Sequence, residues 1–339
     1  MGGTERVILQ LTTILKNVVI VVPGTTSVAF DGYENLNIRS LGISDFPVSG
    51  KFNKVSHRMK YYQALRKNIK LTSEDFLVTF SYDLNLLNII LSKKYGYNPI
   101  VCEHIEYNYH NGIRNLIRKF FYNQSGVKLV CLTKTDEIKF KKDGINTVVI
   151  PNFIFPVENE YKENTKKIIA VGRLEYQKNF KFLVEAFKLS TVYEDGWTLE
   201  IIGEGSEYHS IIEAINLYSL NNYVKIHKFS KDIENYYRNS SLLCMTSRFE
   251  AFPMVLLEGM NFGLPVLVSD FPTGAKEILG TENSQIVSEY SIDAYAIHLK
   301  AICSDVVLRK NFSTNNLKLI KNYHPEKIEK LWLELFLND

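Results

Sequence analysis

The sequence predicts an α/β protein with two doubly wound domains, and three observations support this fold class. The chain has 339 residues, a length that suits two domains. Short, continuous apolar runs alternate with amphipathic stretches, as in parallel sheets that are covered by helices on both faces. A segment at 152–166 with two prolines, many polar residues and no clear period separates two such series.

Buried strands are predicted where apolar runs of four to eight residues stand between turn-forming residues. In the first series they lie at 17–23, 75–81, 99–104, 128–133 and 147–152, and in the second at 167–172, 198–203, 223–227, 241–246 and 265–270. Helices are predicted at 84–96, 113–123, 179–190, 207–220 and 253–263, and an amphipathic helix follows His324 and Pro325. We therefore expect domains at 1–155 and 156–322 and a terminal helical segment at 323–339.

The composition excludes several classes of protein. Hydrophobic residues make up 45% and charged residues 23%, which argues against disorder or a coiled coil as the main architecture. The net charge of +3 is too small for a dedicated nucleic-acid-binding protein. Four distant cysteines without a CxxC argue against a zinc site or a disulfide scaffold, and we expect buried, reduced thiols. Without a membrane-length apolar stretch or a signal-peptide pattern, the expected location is the cytoplasm.

The small net charge conceals an asymmetry between the halves. Residues 1–155 contain 20 basic and 12 acidic residues, whereas residues 156–339 carry a net charge of −5. A basic half favours an anionic substrate or an anionic membrane surface, although chance scatter is the alternative. Two basic amphipathic stretches, 57–70 and 113–121, are candidates for membrane contact, and ordinary half-buried surface helices are the alternative for both.

The strongest chemical signal lies in 247–270, directly after a predicted strand. Ligands of doubly wound folds bind at the carboxyl ends of strands. Glu250 and Glu258 stand eight residues apart, and either carboxylate could bind the hydroxyls of a sugar or a ribose. A solvated pair is the alternative, but Glu258 lies in an apolar context where an unpartnered carboxylate is costly. The first turn of the helix is expected to offer backbone amides to an anion, at Phe252, Pro253, Met254 and Val255.

Two further motifs follow strand ends in the second domain. Gly172 permits a tight turn, and Arg173 and Lys178 after it suit a diphosphate, with exposed basic residues as the alternative. Gly203 opens a GxG turn whose third fingerprint glycine is replaced by Tyr208. This departure disfavours a nicotinamide dinucleotide, and a simple tight turn remains an alternative.

The first domain offers two weaker candidates. Gly2 and Gly3 begin a predicted helix and could let a ligand approach closely, although no strand precedes them. His104 ends a predicted strand in the basic half, and a structural histidine is the alternative.

Together these motifs resemble glycosyltransferase family 4, a large group of retaining enzymes with the GT-B fold. GRLEYQKN, GEG, SRFEAFPMVLLEGMNFGLPVLVSD and TGAKEI occur in the order and spacing of that family, and the resemblance is strongest over 168–280. GGTER is similar to the glycine loop of the family's N-domain, and His104 stands where the family keeps an active-site histidine. The resemblance implies two Rossmann-like domains that face a cleft, with the helix at 323–339 packing back toward the N-domain.

The resemblance also assigns roles. Arg173 and Lys178 would hold the donor diphosphate, near Gly172, Gly203 and the amides of 252–255. Glu258 would bind the nucleotide ribose, and Glu250 would contact the donor sugar. His104 would touch the transferred sugar or the acceptor, and Gly2 and Gly3 would lie on the acceptor side.

The resemblance implies a nucleotide sugar as co-substrate, with no resident cofactor and no metal. A UDP-hexose is the expected donor, although FPTGA replaces the Cys-Pro-Thr-Gly-Pro of many relatives and leaves its identity open. By analogy, the acceptor would be an undecaprenyl-diphosphate-linked saccharide in surface polysaccharide or O-antigen synthesis. The enzyme would then contact the inner face of the cytoplasmic membrane peripherally and would bind no nucleic acid.

Two other functions stay open, and so does the start of the chain. A GT-B sugar-nucleotide epimerase and a non-catalytic sugar-nucleotide-binding subunit are the alternatives. In relatives an apolar strand precedes the glycine loop, whereas Met1 directly precedes Gly2 in this chain. We expect either about 10–20 further residues upstream or an N-terminal sheet without that central strand.

Overall fold

The computed structural model describes residues 3–24, 36–43, 51–158, 161–230, 232–281 and 283–337. Contacts divide the chain into two compact units. Unit 1 consists of Met1–Cys131, Asp136–Ile150 and Ile328–Asp339, and unit 2 consists of Leu132–Thr135 and Pro151–Lys327. The main change of unit thus falls five residues before the predicted position, and the last helix contributes most of its length to unit 1.

Up to residue 150, the described chain forms short parallel strands that alternate with helices. The helices and strands are α1 Gly3–Ile14, β1 Ile20–Val22, β2 Ile38–Ser40, α2 Lys51–Asn68, β3 Val78–Thr79, α3 Tyr82–Tyr95, β4 Ile100–Glu103, α4 Gly112–Tyr122, β5 Lys128–Cys131, α5 Lys134–Lys142 and β6 Thr147–Val149. All five predicted strands are present in shortened form. The sequence pattern does not predict β2, because its IRS segment contains one apolar residue and is largely exposed.

The strands of unit 1 form two sheets within the described residues. Strands β3, β4, β5 and β6 lie in that order in a parallel four-stranded sheet, and β1 pairs in parallel with β2. The central strand β4 is buried along its whole length, which explains its continuous apolar sequence. Helix α1 begins at Gly3, and no described strand precedes it.

Local sequence accounts for the ends of helix α3. Ser81 has extended backbone angles at the N-cap, and Asp83 places a negative charge in the first turn. Gly96 ends the helix in the left-handed conformation, with φ 75°, and donates its N–H to Ser92 O at 2.7 Å. Inside the helix, Asn88 Nδ2 donates to Ile100 O at 3.0 Å, which ties α3 to β4.

From residue 151 onward, the same alternation continues with longer strands. The elements are β7 Lys167–Val171, α6 Phe180–Ser190, β8 Thr198–Ile202, α7 Tyr208–Leu217, β9 Val224–His227, α8 Ile233–Arg238, β10 Leu242–Met245, α9 Met254–Asn261, β11 Val266–Ser269, α10 Ala275–Leu279, β12 Ile286–Val287, α11 Ile292–Ser304, α12 Val306–Leu319 and α13 Pro325–Leu337. Three short 3₁₀ helices lie at Tyr107–Tyr109, Val192–Asp195 and Ile320–Tyr323.

Unit 2 contains one parallel sheet with the strand order β12-β11-β10-β7-β8-β9. Successive residues of β7 enter different cores: Ile168 and Ala170 pack with residues of α6, α7 and α11, whereas Ile169 packs with residues of α9 and α10. Helices therefore cover both faces, as predicted for a doubly wound domain. The strand order reverses direction between β7 and β10, so their carboxyl ends define the switch point where such folds bind ligands.

The remaining features of the chain agree with a packed α/β protein. In unit 1, helix α13 packs the ring of Phe336 against Phe76, with 4.8 Å between centroids. All four cysteines are buried and free, as the sequence predicts. Among the described helices, none has both the length and the apolar character that a membrane span requires.

Candidate functional site

The switch point of unit 2 brings together the two strongest motifs of the sequence. Gly172 follows β7 directly, and Glu250 follows β10 in the loop that leads to α9. These two strands are neighbours in the sheet. The turn after β7 approaches the loop after β10, and the N–H of Arg248 donates to Gln177 O at 2.8 Å.

A buried ion pair joins these two segments. Lys178 Nζ lies 2.5 Å from Glu250 Oε1, and the two side chains are only 14% and 10% exposed. Ser247 Oγ donates to the same oxygen at 2.8 Å, and Gln177 Nε2 donates to Glu250 Oε2 at 3.3 Å. The carboxylate is therefore held by one cation and two neutral donors, in a position set by both strands.

Other parts of the chain pack closely against the glycines of these turns. The alkyl chain of Lys178 lies over Gly172, where an added Cβ would stand 3.0 Å from Lys178 Cε. A Cβ on Gly203 would overlap the carbonyl oxygen of Gly172, and one on Gly205 would overlap that of Leu174. The GxG spacing therefore allows the turn after β8 to pack against the turn after β7.

Arg173 differs from Lys178 in its surroundings. It is exposed, whereas Leu174 beside it is fully buried and anchors the turn. Arg173 helps to lower the pKa of Glu175, after the larger effect of the hydrogen bonds from Ser206 to that carboxylate. The turn thus carries an exposed guanidinium and a partly buried ammonium, and both could contact one polyanionic ligand.

Helix α9 begins one residue later than the sequence suggests. Pro253 is the N-cap, and the helix starts at Met254. The prediction that Pro253 contributes an amide is wrong, because a proline nitrogen carries no hydrogen. The amides of Phe252, Met254 and Val255 donate to no atom of the described residues. These three N–H groups can therefore bind an anion at the helix N-terminus.

Glu258 lies in the second turn of α9 and is buried. Tyr237 of α8 donates its hydroxyl to Glu258 Oε2 at 2.8 Å and stacks its ring on Phe262. The expectation that this carboxylate has a hydrogen-bond partner is confirmed. Such a fixed acceptor can bind the hydroxyls of a sugar or a ribose.

The loop after β11 supports the segment that carries Glu250. Thr273 Oγ1 donates to Glu250 O at 2.6 Å. Gly274 has φ 89°, and an added Cβ would stand 2.6 Å from Pro253 Cδ. Both contacts place the Thr-Gly-Ala sequence against the N-terminus of α9.

Unit 1 holds the other predicted residues. Gly3 begins α1, and Gly2 lies outside the described residues. His104 directly follows β4 and meets the ring of Phe80 edge-on, with 5.2 Å between centroids. Burial lowers the pKa of His104 to about 4, so its imidazole is neutral at pH 7 and can donate or accept a hydrogen bond.

A buried carboxyl group precedes His104. Glu103 Oε1 accepts a 2.6 Å hydrogen bond from the hydroxyl of Tyr122, which in turn accepts one from Asn85 Nδ2 at 2.8 Å. Burial raises the pKa of Glu103 to about 7, and the bond from Tyr122 opposes that rise. The side chain of Tyr122 in α4 therefore fixes the carboxyl end of β4.

Sequence reasoning did not single out three of the residues that shape the site. Ser247 stands three residues before Glu250, and Gln177 is adjacent to Lys178, so both lie in motifs whose other members were recognised. Tyr237 lies 21 residues from Glu258, and no local pattern links them. Within the described part of the chain, no cluster of three or more His, Cys, Asp or Glu could hold a metal ion.

The arrangement of unit 2 is that of a doubly wound domain with a candidate site at its switch point, and comparison with known proteins specifies it further. Residues 153–319 match the family model of the glycosyl transferases group 1. The amylovoran biosynthesis glycosyltransferase AmsD of Erwinia amylovora is 29% identical over 98% of this chain and 95% of its own length.

Two further proteins extend the comparison. The GalNAc-α-(1→4)-GalNAc-α-(1→3)-diNAcBac-PP-undecaprenol α-1,4-N-acetyl-D-galactosaminyltransferase of Campylobacter jejuni is 22% identical over 98% of this chain and 94% of its own. The crystal structure of Anabaena HepE in complex with UDP has a TM-score of 0.78 at 14% identity and covers 100% of this chain and 97% of that one. The chain is therefore a glycosyltransferase with the GT-B fold, and its group 1 glycosyltransferase domain spans residues 153–319.

Proposed function

We propose that this protein is a retaining, metal-independent hexosyltransferase of family 4 that uses a UDP-hexose. The proposed acceptor is an undecaprenyl-diphosphate-linked saccharide, and the product serves bacterial surface polysaccharide synthesis. The observation that carries the proposal is the buried Lys178–Glu250 pair at the switch point, beside the free amides of α9.

The chemistry of glycosyl transfer fits this site. Positive charge develops on the sugar, and negative charge develops on the departing diphosphate. Arg173, Lys178 and the α9 amides would stabilise the diphosphate by preorganised electrostatics. Glu250 would contact the donor sugar, and Glu258 would accept hydrogen bonds from the ribose. Attack on the same face of the sugar would retain its configuration, with the leaving phosphate helping to deprotonate the acceptor.

Unit 1 would supply the acceptor side. His104 is neutral at pH 7 and stands at the carboxyl end of β4, where a ligand of a doubly wound sheet would lie. The Campylobacter relative is named for an undecaprenol-PP-linked acceptor, and AmsD for amylovoran biosynthesis. The net charge of +8 in residues 1–155 would favour an anionic, membrane-held lipid at the inner face of the cytoplasmic membrane.

The proposal is tested by transfer to a synthetic undecaprenyl-diphosphate-linked saccharide, with a panel of UDP- and GDP-hexoses and mass spectrometry of the lipid product. We expect transfer in the presence of EDTA and the loss of transfer in Lys178→Met. Lys181→Met is the matched control, because Lys181 is an exposed lysine of the adjacent helix α6. Its activity should equal that of the wild type.

Three outcomes would overturn this assignment. Absence of transfer from every donor would refute the transferase function. An epimerised UDP-sugar formed without acceptor would favour an epimerase, and normal polysaccharide synthesis in cells carrying Lys178→Met would favour a non-catalytic subunit.

A further inference from the structure

Helix α4 exposes its apolar side and buries its polar side. Ile113, Leu116 and Phe120 are 75%, 67% and 70% exposed, and Ile117 is also exposed. Their spacing places them on one face of the helix, which we call the apolar stripe. Arg118 and Tyr122, one turn apart on the opposite face, are completely buried. The sequence analysis offered membrane contact or a half-buried surface helix for this stretch, and neither interpretation predicts that Arg118 is buried.

Contacts on the buried side fix this orientation. Arg118 Nη2 donates to Tyr107 O at 2.9 Å, and the guanidinium lies over the ring of Phe140 at 5.0 Å. Tyr122 donates to Glu103 at 2.6 Å. Rotation of α4 to bury its leucine and isoleucines would remove these contacts. Polar groups in the core would then lose these hydrogen bonds, which is costly. The apolar stripe is therefore a fixed surface of unit 1.

Cations border the stripe on both sides. At 3.6 residues per turn, Arg114 and Lys119 lie about 110° to either side of the centre of the stripe. Arg114 is exposed and rests on the ring of Tyr82 at 4.6 Å. Lys119 is partly exposed and reaches Asp143 at 2.7 Å. An apolar face between flanking cations is the pattern of helices that lie in a membrane interface.

The size of the stripe distinguishes between possible partners. Its four side chains expose on the order of 500 Å² in total. A stable protein–protein interface buries about 800 Å² per partner and has a polar rim that completes the contact. Shallow insertion of one helix into lipid has no such requirement on area or shape, and the flanking cations suit anionic headgroups.

We propose that the apolar stripe of α4 inserts into the acyl-chain boundary of an anionic bilayer and that apolar burial, more than charge, holds the protein there. This inference deepens the proposed membrane association and rests on the proposed function for its biological purpose. Vesicle binding requires neither donor nor acceptor, so its failure and the failure of the transferase assignment are distinguishable.

Flotation of the full chain with phosphatidylethanolamine–phosphatidylglycerol vesicles tests the proposal. We expect Leu116→Glu/Phe120→Glu to reduce the vesicle-bound fraction at least about tenfold, because two charges would enter the lipid boundary. The matched control is Leu217→Glu/Ile297→Glu, which changes two exposed apolar residues of unit 2 and should bind like the wild type. Wild-type binding should fall less than about threefold at about 0.5 M salt, since screening weakens only the charge contribution.

A second measurement locates the contact. Tryptophan introduced by Phe120→Trp should be quenched by brominated lipids, whereas the native Trp197 and Trp332 are buried and should respond weakly. Equal flotation of the stripe variant and the wild type would overturn the proposal. A stripe variant that floats normally but changes from dimer to monomer would instead identify the stripe as an interface between two copies.

Discussion

The Lys178–Glu250 pair allows structural and catalytic contributions to be separated. Lys178→Met removes the cation but keeps an unbranched chain over Gly172, so the packing of the turn is largely retained. Glu250→Gln removes the opposite charge while keeping the size of the side chain. Comparison of both variants with Lys178→Met/Glu250→Gln forms a double-mutant cycle across the 2.5 Å contact.

The surroundings of the pair set the expected magnitude. Removing one partner of a fully buried pair costs about 3–5 kcal/mol in the free energy of unfolding. Glu250 retains hydrogen bonds from Ser247 and Gln177, and the pair is not completely buried. We therefore expect Lys178→Met to cost about 2 kcal/mol, and the double variant to recover about 1–2 kcal/mol relative to the sum of the single variants.

Urea unfolding followed by tryptophan fluorescence measures these values. Trp197 is buried in the core of unit 2, whereas Trp332 belongs to helix α13, so a Trp332→Phe background reports unit 2 alone. Transfer should fall about 100-fold or more in Lys178→Met and in the double variant, because neither retains the Lys178 ammonium that would stabilise the leaving diphosphate.

Two results would refute this reasoning. Single-variant losses that add to within about 0.5 kcal/mol would show that the contact does not stabilise unit 2. Restored transfer in the double variant would show that Lys178 only neutralises Glu250 and does not act on the donor.

Three further variants test other parts of the structure. Gly203→Ala should destabilise unit 2 by about 3 kcal/mol in urea unfolding, because its Cβ would overlap a backbone carbonyl of the neighbouring turn. Burial raises the pKa of Glu103 from the usual 4.5 of a glutamate to about 7, so unit 1 should lose stability as the pH rises between these values. Because glutamine does not ionise, Glu103→Gln should remove that loss, and its stability relative to the wild type should rise by about 3 kcal/mol between pH 4 and pH 8. The opposite contribution of His104 is present in both proteins and cancels. Tyr237→Phe removes the 2.8 Å hydrogen bond to Glu258 and should cost about 1 kcal/mol while raising the donor KM about tenfold in steady-state assays.

The sequence predicts the parts of the fold that depend on continuous burial. Strands β4, β10 and β11 are buried at every residue, so they carry unbroken apolar runs that stand out in the sequence. The positions of Lys178 and Glu250 were predictable for the same reason, since both residues follow buried strands of a doubly wound domain.

Features that depend on tertiary partners were not predictable. The burial of Arg118 requires the carbonyl of Tyr107 and the ring of Phe140, which the chain brings together only on folding. Tyr237 and Glu258 lie in two different helices, and no sequence pattern predicts that they are hydrogen-bonded. Strand β2 is short and largely exposed, and it contains too few apolar residues to be predicted as a strand.

The four buried cysteines make the chain a convenient starting point for site-specific labelling. Maleimides react with the thiolate, and burial raises the pKa of Cys102, Cys244 and Cys303 above the usual value. Cys131 is also buried. Cysteines introduced at exposed positions, one in each unit, would therefore carry a donor and an acceptor dye without removal of any native thiol. Energy transfer between the dyes would then report whether the distance between the two labelled positions changes when a nucleotide sugar is added.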